Sequence, residues 1–203
     1  GRFNHLTNVT VVPGPVQKPC PPIWLAARGP KSIARVARNG YHLMGTGGID
    51  QQQMYDAALE ECGRKPADFN IAQLRTVFVA GRRDKAWDDA EAGAHYMMSC
   101  YGKWFVEASD LPGDQAYGVN IPPIGKLRNS ETAALFGEPL IIGTPDEAIG
   151  MIEDYQRRSR FTHLVAAMAL PGVDHRKVRR SMELFAKEVM PHFRRRARKP
   201  AKK

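Results

Sequence analysis

A proline-dense lead-in that runs into an apolar pentapeptide constrains this chain more than any other stretch. Five prolines lie between Pro13 and Pro22, and each fixes φ and removes a backbone donor, so the approach to Ile23 is extended and donor-poor. Ile23-Trp24-Leu25-Ala26-Ala27 is then unbroken and apolar, as expected of a strand covered on both faces. Arg28-Gly29-Pro30 ends that strand. Pro30 suits the first position of a helix, Gly29 tolerates unusual dihedrals before it, and Ile33, Ala34, Val36 and Ala37 give the helix one inner face. The free backbone N–H groups of such a start favour a phosphate.

Strand and helix signals continue to alternate downstream. Tyr41-His42-Leu43-Met44 reads as a second strand closed by Gly45-Thr46-Gly47-Gly48, and a helix follows from Ile49 to a stop at Gly63, with Met54, Ala58, Leu59 and Cys62 on one side. Asn70 to Ala80 reads as a third strand. A long helix from Asp84 to Ala108 carries Ala86, Ala90, Gly93, Ala94, Met97 and Met98 as a narrow face suited to close packing. Residues 109 to 139 show no period and collect prolines and glycines, a length that fits either a functional lid or a flexible insertion. Thr144-Pro145-Asp146-Glu147 has the form of a capping box, and Phe161 to Leu170 supplies a fourth strand. A last helix recurs on Val178, Met182, Phe185 and Val189 and is expected to end at Pro191. The alternation argues for one domain built on a parallel α/β sheet.

The net charge of +9 invites a nucleic-acid reading, but seven of the 30 basic residues and none of the 21 acidic ones fall in residues 194–203. A nearly neutral body, residues 1–193, followed by a disordered basic tail is the simpler organisation, and the tail lacks aromatic side chains for base stacking. No apolar run approaches the length of a bilayer span and no secretory signal opens the chain, so a soluble, cytoplasmic protein is expected. Cys20, Cys62 and Cys100 form no CxxC pair, and the six histidines form no helical metal pair, so neither a disulfide framework nor a metal site is expected. The glycine-rich turn at 45–48 fails the dinucleotide fingerprint, because Asp50 stands where its third glycine is required. Asp88-Asp89 and Glu60-Glu61 read as solvated helix faces. The aromatic residues Trp87, Tyr96, Tyr101, Trp104 and Phe105 read as packing or interface positions of the long helix.

The order of these pieces carries a resemblance. A PVQKP-PPIWLAA strand, a helix ending at Asn39-Gly40, a GTPDEAIGMIEDYQ helix, and a final strand followed by PGVDHRKVRRSMELFAKEVMPHF together resemble the bacterial luciferase-like family of flavin-dependent monooxygenases and oxidoreductases. The resemblance runs from Gly1 to about Phe193. It implies the C-terminal half of a (β/α)8 TIM barrel, with four parallel strands, their helices and a long insertion. It implies FMN, as reduced flavin, or a deazaflavin coenzyme, with molecular oxygen as co-substrate in a monooxygenase and a small organic molecule as substrate. The turn after PPIWLAA, which in the family helps to hold the coenzyme phosphate, falls on Ala27, Arg28, Gly29, Pro30 and Ser32. Arg28 departs from the small or polar residues usual there, although a guanidinium can fork onto a phosphate. In a barrel the strand-end loop with Thr46 and Gly47 faces the active-site end and would line the pocket; the alternative reading of the same residues is a simple tight turn. Residues usually assigned chemistry belong to the family's first half, so no catalytic residue is carried over. A homo-oligomer is compatible with the family, and neither a membrane nor a specific nucleic-acid partner is implied. The competing reading is a non-catalytic α/β binding module whose basic tail attaches to nucleic acid or an acidic surface.

Overall fold

The computed structural model describes residues 2–45, 47–108, 120–129, 134–135 and 138–197. Residues before β1 (Trp24–Ala26) form no helix or strand and lie exposed, as the proline-rich lead-in requires. Helix α1 (Pro30–Arg38) then opens on Pro30, and β2 (His42–Gly45) leads into α2 (Ile49–Glu61). Beyond α2, Gly63 takes φ of 70°, a left-handed conformation that glycine adopts without penalty, and so ends the helix where the sequence places its stop.

Strand β3 (Ile71–Val79) is the spine of the sheet, because it is long enough to serve three neighbours. All of its pairings are parallel. Leu43 of β2 aligns with Ile71, His163 to Ala167 of β7 (His163–Ala167) align with Ala72 to Thr76, and Ile141 to Gly143 of β6 (Ile141–Gly143) align with Val77 to Val79. With β1 outside β2, the order β1-β2-β3-β7 contains the four expected parallel strands. The fifth, β6, was not expected. Its three residues lie between the unperiodic region and the Thr144 cap, and they are held by the end of β3 rather than by any alternation of their own. Just before it, β4 (Ala134–Leu135) and β5 (Glu138–Pro139) pair antiparallel.

Alternation along the strands separates two faces. Leu43, Ile71, Val77, Val79 and Ile141 form one buried cluster with α1, α2, α4 (Pro145–Arg158) and the π-turn Phe185–Val189. The opposite face carries Trp24, His42, Met44, Leu74 and Val165, all only half-buried. At the C-terminal end of that face Phe78 and Ile142 pack beneath α3 (Arg83–Ala108) with Ala86, Trp87, Ala90 and Ala94. The small-residue face of α3 is therefore a packing face, and a Cβ at Gly93 would stand 2.5 Å from the Pro171 carbonyl oxygen. Helix α3 starts beside β3, and its Phe105 ring lies 5.0 Å from the guanidinium of Arg28 after β1. The helix thus crosses the strand ends.

Two expectations need correction. Helix α5 (His175–Leu184) does not stop at Pro191 but passes through the π-turn into α6 (Met190–Ala197). The Met190 N–H bonds back to Phe185, and this wider turn accommodates a proline ring without a conventional helical bond. Asp89 is not solvated: Asp88 stays exposed while pairing with Arg128 at 2.8 Å, but Asp89 is nearly buried between Lys85 at 2.8 Å and Lys177 at 2.6 Å. Of the segment expected as a lid or a flexible insertion, residues 109–119, 130–133 and 136–137 lie outside the described residues. The described part is anchored: Leu127 is fully buried, and Arg128 reaches Glu91 at 2.7 Å.

Candidate functional site

The turns after β1 and β2 stand side by side at the C-terminal ends of paired parallel strands. Gly29 is the N-cap of α1 with φ −82° and ψ 159°, and no side chain caps the helix. The Ser32 hydroxyl donates instead to the Gly29 carbonyl at 2.8 Å, which tightens the first turn without occupying its outward N–H groups. A Cβ at Gly29 would meet nothing within 4 Å, so the space before the helix start is open. Arg28 is half-buried and rests on the Phe105 ring, which fixes a cation beside that opening.

One residue missed by the sequence reading joins the two turns. Gln51, buried in the first turn of α2, donates from Nε2 to the Ala27 carbonyl at 2.8 Å and accepts the Gly47 N–H at Oε1 at 3.0 Å. Ala27 and Gly47 are therefore brought together, whereas Thr46 lies outside the described residues. Gly45 makes this possible, because a Cβ there would stand 2.5 Å from Gln73 Nε2 and 2.9 Å from Gln51 Oε1.

Arg75 extends the network inward from β3. Its Nη2 donates to the Gly47 carbonyl at 3.1 Å and to the Tyr155 hydroxyl at 2.8 Å, while Nη1 donates to the Leu74 carbonyl at 2.8 Å. Gln52 donates to the same Tyr155 hydroxyl at 2.8 Å. Burial lowers the pKa of Arg75 and raises that of Tyr155, which keeps the phenol neutral where it accepts from the guanidinium. Gln73 is fully buried, and both polar atoms of its amide lack a hydrogen-bond partner among the described residues. The one charged residue in a strand whose other residues are neutral was the available signal for Arg75. Gln51 and Gln52 gave none, since glutamines in a first helical turn ordinarily face water.

The histidines of the sheet belong to its other end. The Trp24 ring lies 4.8 Å from His42 and 5.1 Å from His163, and these histidines open β2 and β7 respectively. Burial, with the charge of His163, lowers the pKa of His42, whose Nδ1 accepts the Asn70 N–H at 3.2 Å. This aromatic cluster, with Trp24 and His42 half-buried and His163 exposed, lies at the N-terminal strand ends, away from the turns. Among the described residues no group of three or more His, Cys, Asp or Glu side chains could hold a metal ion. No described helix is long and apolar enough to cross a membrane.

Known proteins share this fold and part of the sequence. The oxygenase component of the flavin-dependent trigonelline monooxygenase of Acinetobacter baylyi is 26% identical over 209 residues, covering 95% of this chain and 54% of that protein. The oxygenating constituent of 3,6-diketocamphane monooxygenase from Pseudomonas putida, solved in complex with FMN, superposes with a TM-score of 0.63 at 19% identity, covering 85% of this chain and 49% of that one. The coenzyme F420-dependent tetrahydromethanopterin reductase of Methanopyrus kandleri gives 0.55 at 16% identity, over 85% of this chain and 51% of the other. This chain thus spans about half the length of the relatives it matches, in keeping with the expected C-terminal half of a (β/α)8 barrel. The family model for luciferase-like monooxygenases matches residues 1–160, and with the parallel half-barrel seen here it settles the assignment: the chain belongs to the luciferase-like monooxygenase family.

Proposed function

We propose that this chain supplies the coenzyme-phosphate end of a flavin- or deazaflavin-dependent oxidoreductase that acts on a small organic substrate. The observation that carries the reading is the open, uncapped start of α1 with Arg28 beside it and Gln51 holding its approach. The first-turn N–H groups and helix dipole would meet a phosphate, with Ala27, Gly29 and Pro30 shaping the turn and Ser32 closing it. Gly47, and Thr46 with it, would line the neighbouring wall. Bound reduced flavin supplies electrons for oxygenation by molecular oxygen, and a bound deazaflavin supplies hydride. The protein's part is to orient the coenzyme and shield it from water. The relatives named above support both classes, one complexed with FMN and one dependent on coenzyme F420. Of residues 109–139, the described segment held by Arg128 against α3 would be the hinge side of a lid over this end.

A titration separates this reading from simple fold likeness. The chain, alone and joined to the first half of the Acinetobacter relative, is titrated with FMN, with a deazaflavin coenzyme and with riboflavin, which lacks the phosphate. FMN is expected to bind more tightly than riboflavin, and Arg28→Ala should remove about tenfold of that preference, the loss of a charge-assisted pair. A folded joined protein that binds neither coenzyme, or binds FMN and riboflavin equally, would end the proposal.

A further inference from the structure

We propose that a second anion site, independent of the coenzyme reading, lies in the cleft between the start of α3 and α5, and that it takes an organic phosphate of nucleotide size. The cleft has a volume of about 840 Å3 at the C-terminal end of β3. Phe78, Val79 and Leu184 make its floor apolar, while Lys85, Lys177, Arg180 and Lys187 bring cations to it from α3, α5 and the π-turn.

The acidic groups there do not cancel those cations. Asp89 is held between Lys85 and Lys177 at 2.8 and 2.6 Å, so the three together remain a net cation. Glu183 turns to Arg179 at 3.3 Å, and Arg82 on the rim is committed to Asp84. Glu188 is then set against both Arg180 and Lys187. Ser181 adds a neutral donor. Its hydroxyl, buried at 2% exposure on the cleft wall, accepts the Val79 N–H at 2.8 Å, which leaves its own proton to donate.

The wall itself is cationic: residues 174–193 carry five basic and three acidic residues, with Lys177, Arg180 and Lys187 lining the cleft. Several separated cations need more anionic oxygens than a single carboxylate offers, and phosphoryl groups provide them. The apolar floor suits a ring or another flat apolar body. The cleft is also distinct from the turn after β1, because β2 lies between β1 and β3 in the sheet.

Adenosine 5′-triphosphate serves as the probe, followed by backbone amide shifts in the full chain. Saturable shifts are expected at Gly81, Lys177, Arg180 and Ser181, and inorganic phosphate should bind more weakly because it leaves the floor uncovered. Arg180→Glu with Lys187→Glu should weaken the probe on the order of tenfold, from two nearby charges in a watery site, whereas Arg28→Ala should leave it unchanged. Both side chains are exposed, so the fold should survive the change, and Arg180→Gln with Lys187→Gln gives the same comparison if the reversal unfolds the chain. Loss of the probe with Arg28→Ala, shifts elsewhere only, or equal affinity in the doubly substituted protein would overturn the site.

Discussion

Gln51 shows how much of this site depends on one side chain. Its amide is the link between a carbonyl after β1 and an N–H after β2, and both partners are backbone groups of turns that the strands alone do not position. Gln51→Met keeps the length of the side chain and removes both hydrogen bonds. The expected result is a loss of about 1–3 kcal/mol in unfolding free energy, the range for leaving buried backbone groups unpaired. Amide exchange should also accelerate at Gly47, which loses its acceptor, and at Ile33, which bonds to the Gly29 carbonyl of the loosened turn, ahead of the rest of the chain. Unchanged protection in those residues would show that the turns hold themselves. This part of the site was hidden in the sequence for a physical reason: the turn chemistry of Gly29 and Pro30 is local and readable, whereas the use of Gln51 depends on the distance between two strands. Arg75 is similar. As the only charged residue of β3 it is unusual, but only the approach of Tyr155 from α4 and of Gly47 from the β2 turn gives its guanidinium a purpose.

Elements with strong local signals form where the sequence places them. The Thr144 hydroxyl accepts the Glu147 N–H at 3.3 Å and the Glu147 carboxylate accepts the Thr144 N–H at 2.8 Å, so the capping box at α4 is complete. By contrast, β6 owes its existence to β3, and the passage of the last helix beyond Pro191 owes its existence to a widened turn, neither of which has a periodic signature. The capping box also carries a pH dependence. Burial of the Glu147 carboxylate works to raise its pKa, but the Thr144 N–H and the Arg83 guanidinium at 3.0 Å outweigh it and hold the group below the ordinary glutamate range. Because the unfolded chain then takes up the proton more readily, this contribution is complete above the ordinary glutamate pKa. It is lost as pH falls through the depressed value. Glu147→Gln preserves the reciprocal hydrogen bonds but cannot titrate, so its melting temperature should fall less steeply on acidification than that of the parent. The difference is small, about 1 kcal/mol, since the pair with Arg83 is partly exposed. Superimposable acid limbs for the two proteins would assign the acid sensitivity to other carboxylates.

At the scale of the whole molecule, the two faces of the sheet are unequally covered. One is sealed by α1, α2, α4 and the π-turn, whereas the other has α3 across its C-terminal end and the Trp24, His42 and His163 cluster at its N-terminal end. Between them Met44, Leu74 and Val165 remain half-buried, on adjacent strands of a curved sheet. A contiguous apolar band of this kind binds apolar probes and favours association. The native chain should therefore enhance the fluorescence of an anilinonaphthalene dye at neutral pH without losing its cooperative melt. Leu74→Lys with Val165→Lys should reduce that enhancement at least by half, about the share of the band the two side chains contribute, with little loss of stability because both ammonium groups can reach water. Matched substitutions on the sealed face, such as Ile71→Lys, should instead abolish the cooperative melt, since that side chain is fully buried. If the dye signal persisted in the Leu74 and Val165 variant, the exposed band would have to be sought elsewhere in the chain, and the sheet would be closed on both faces.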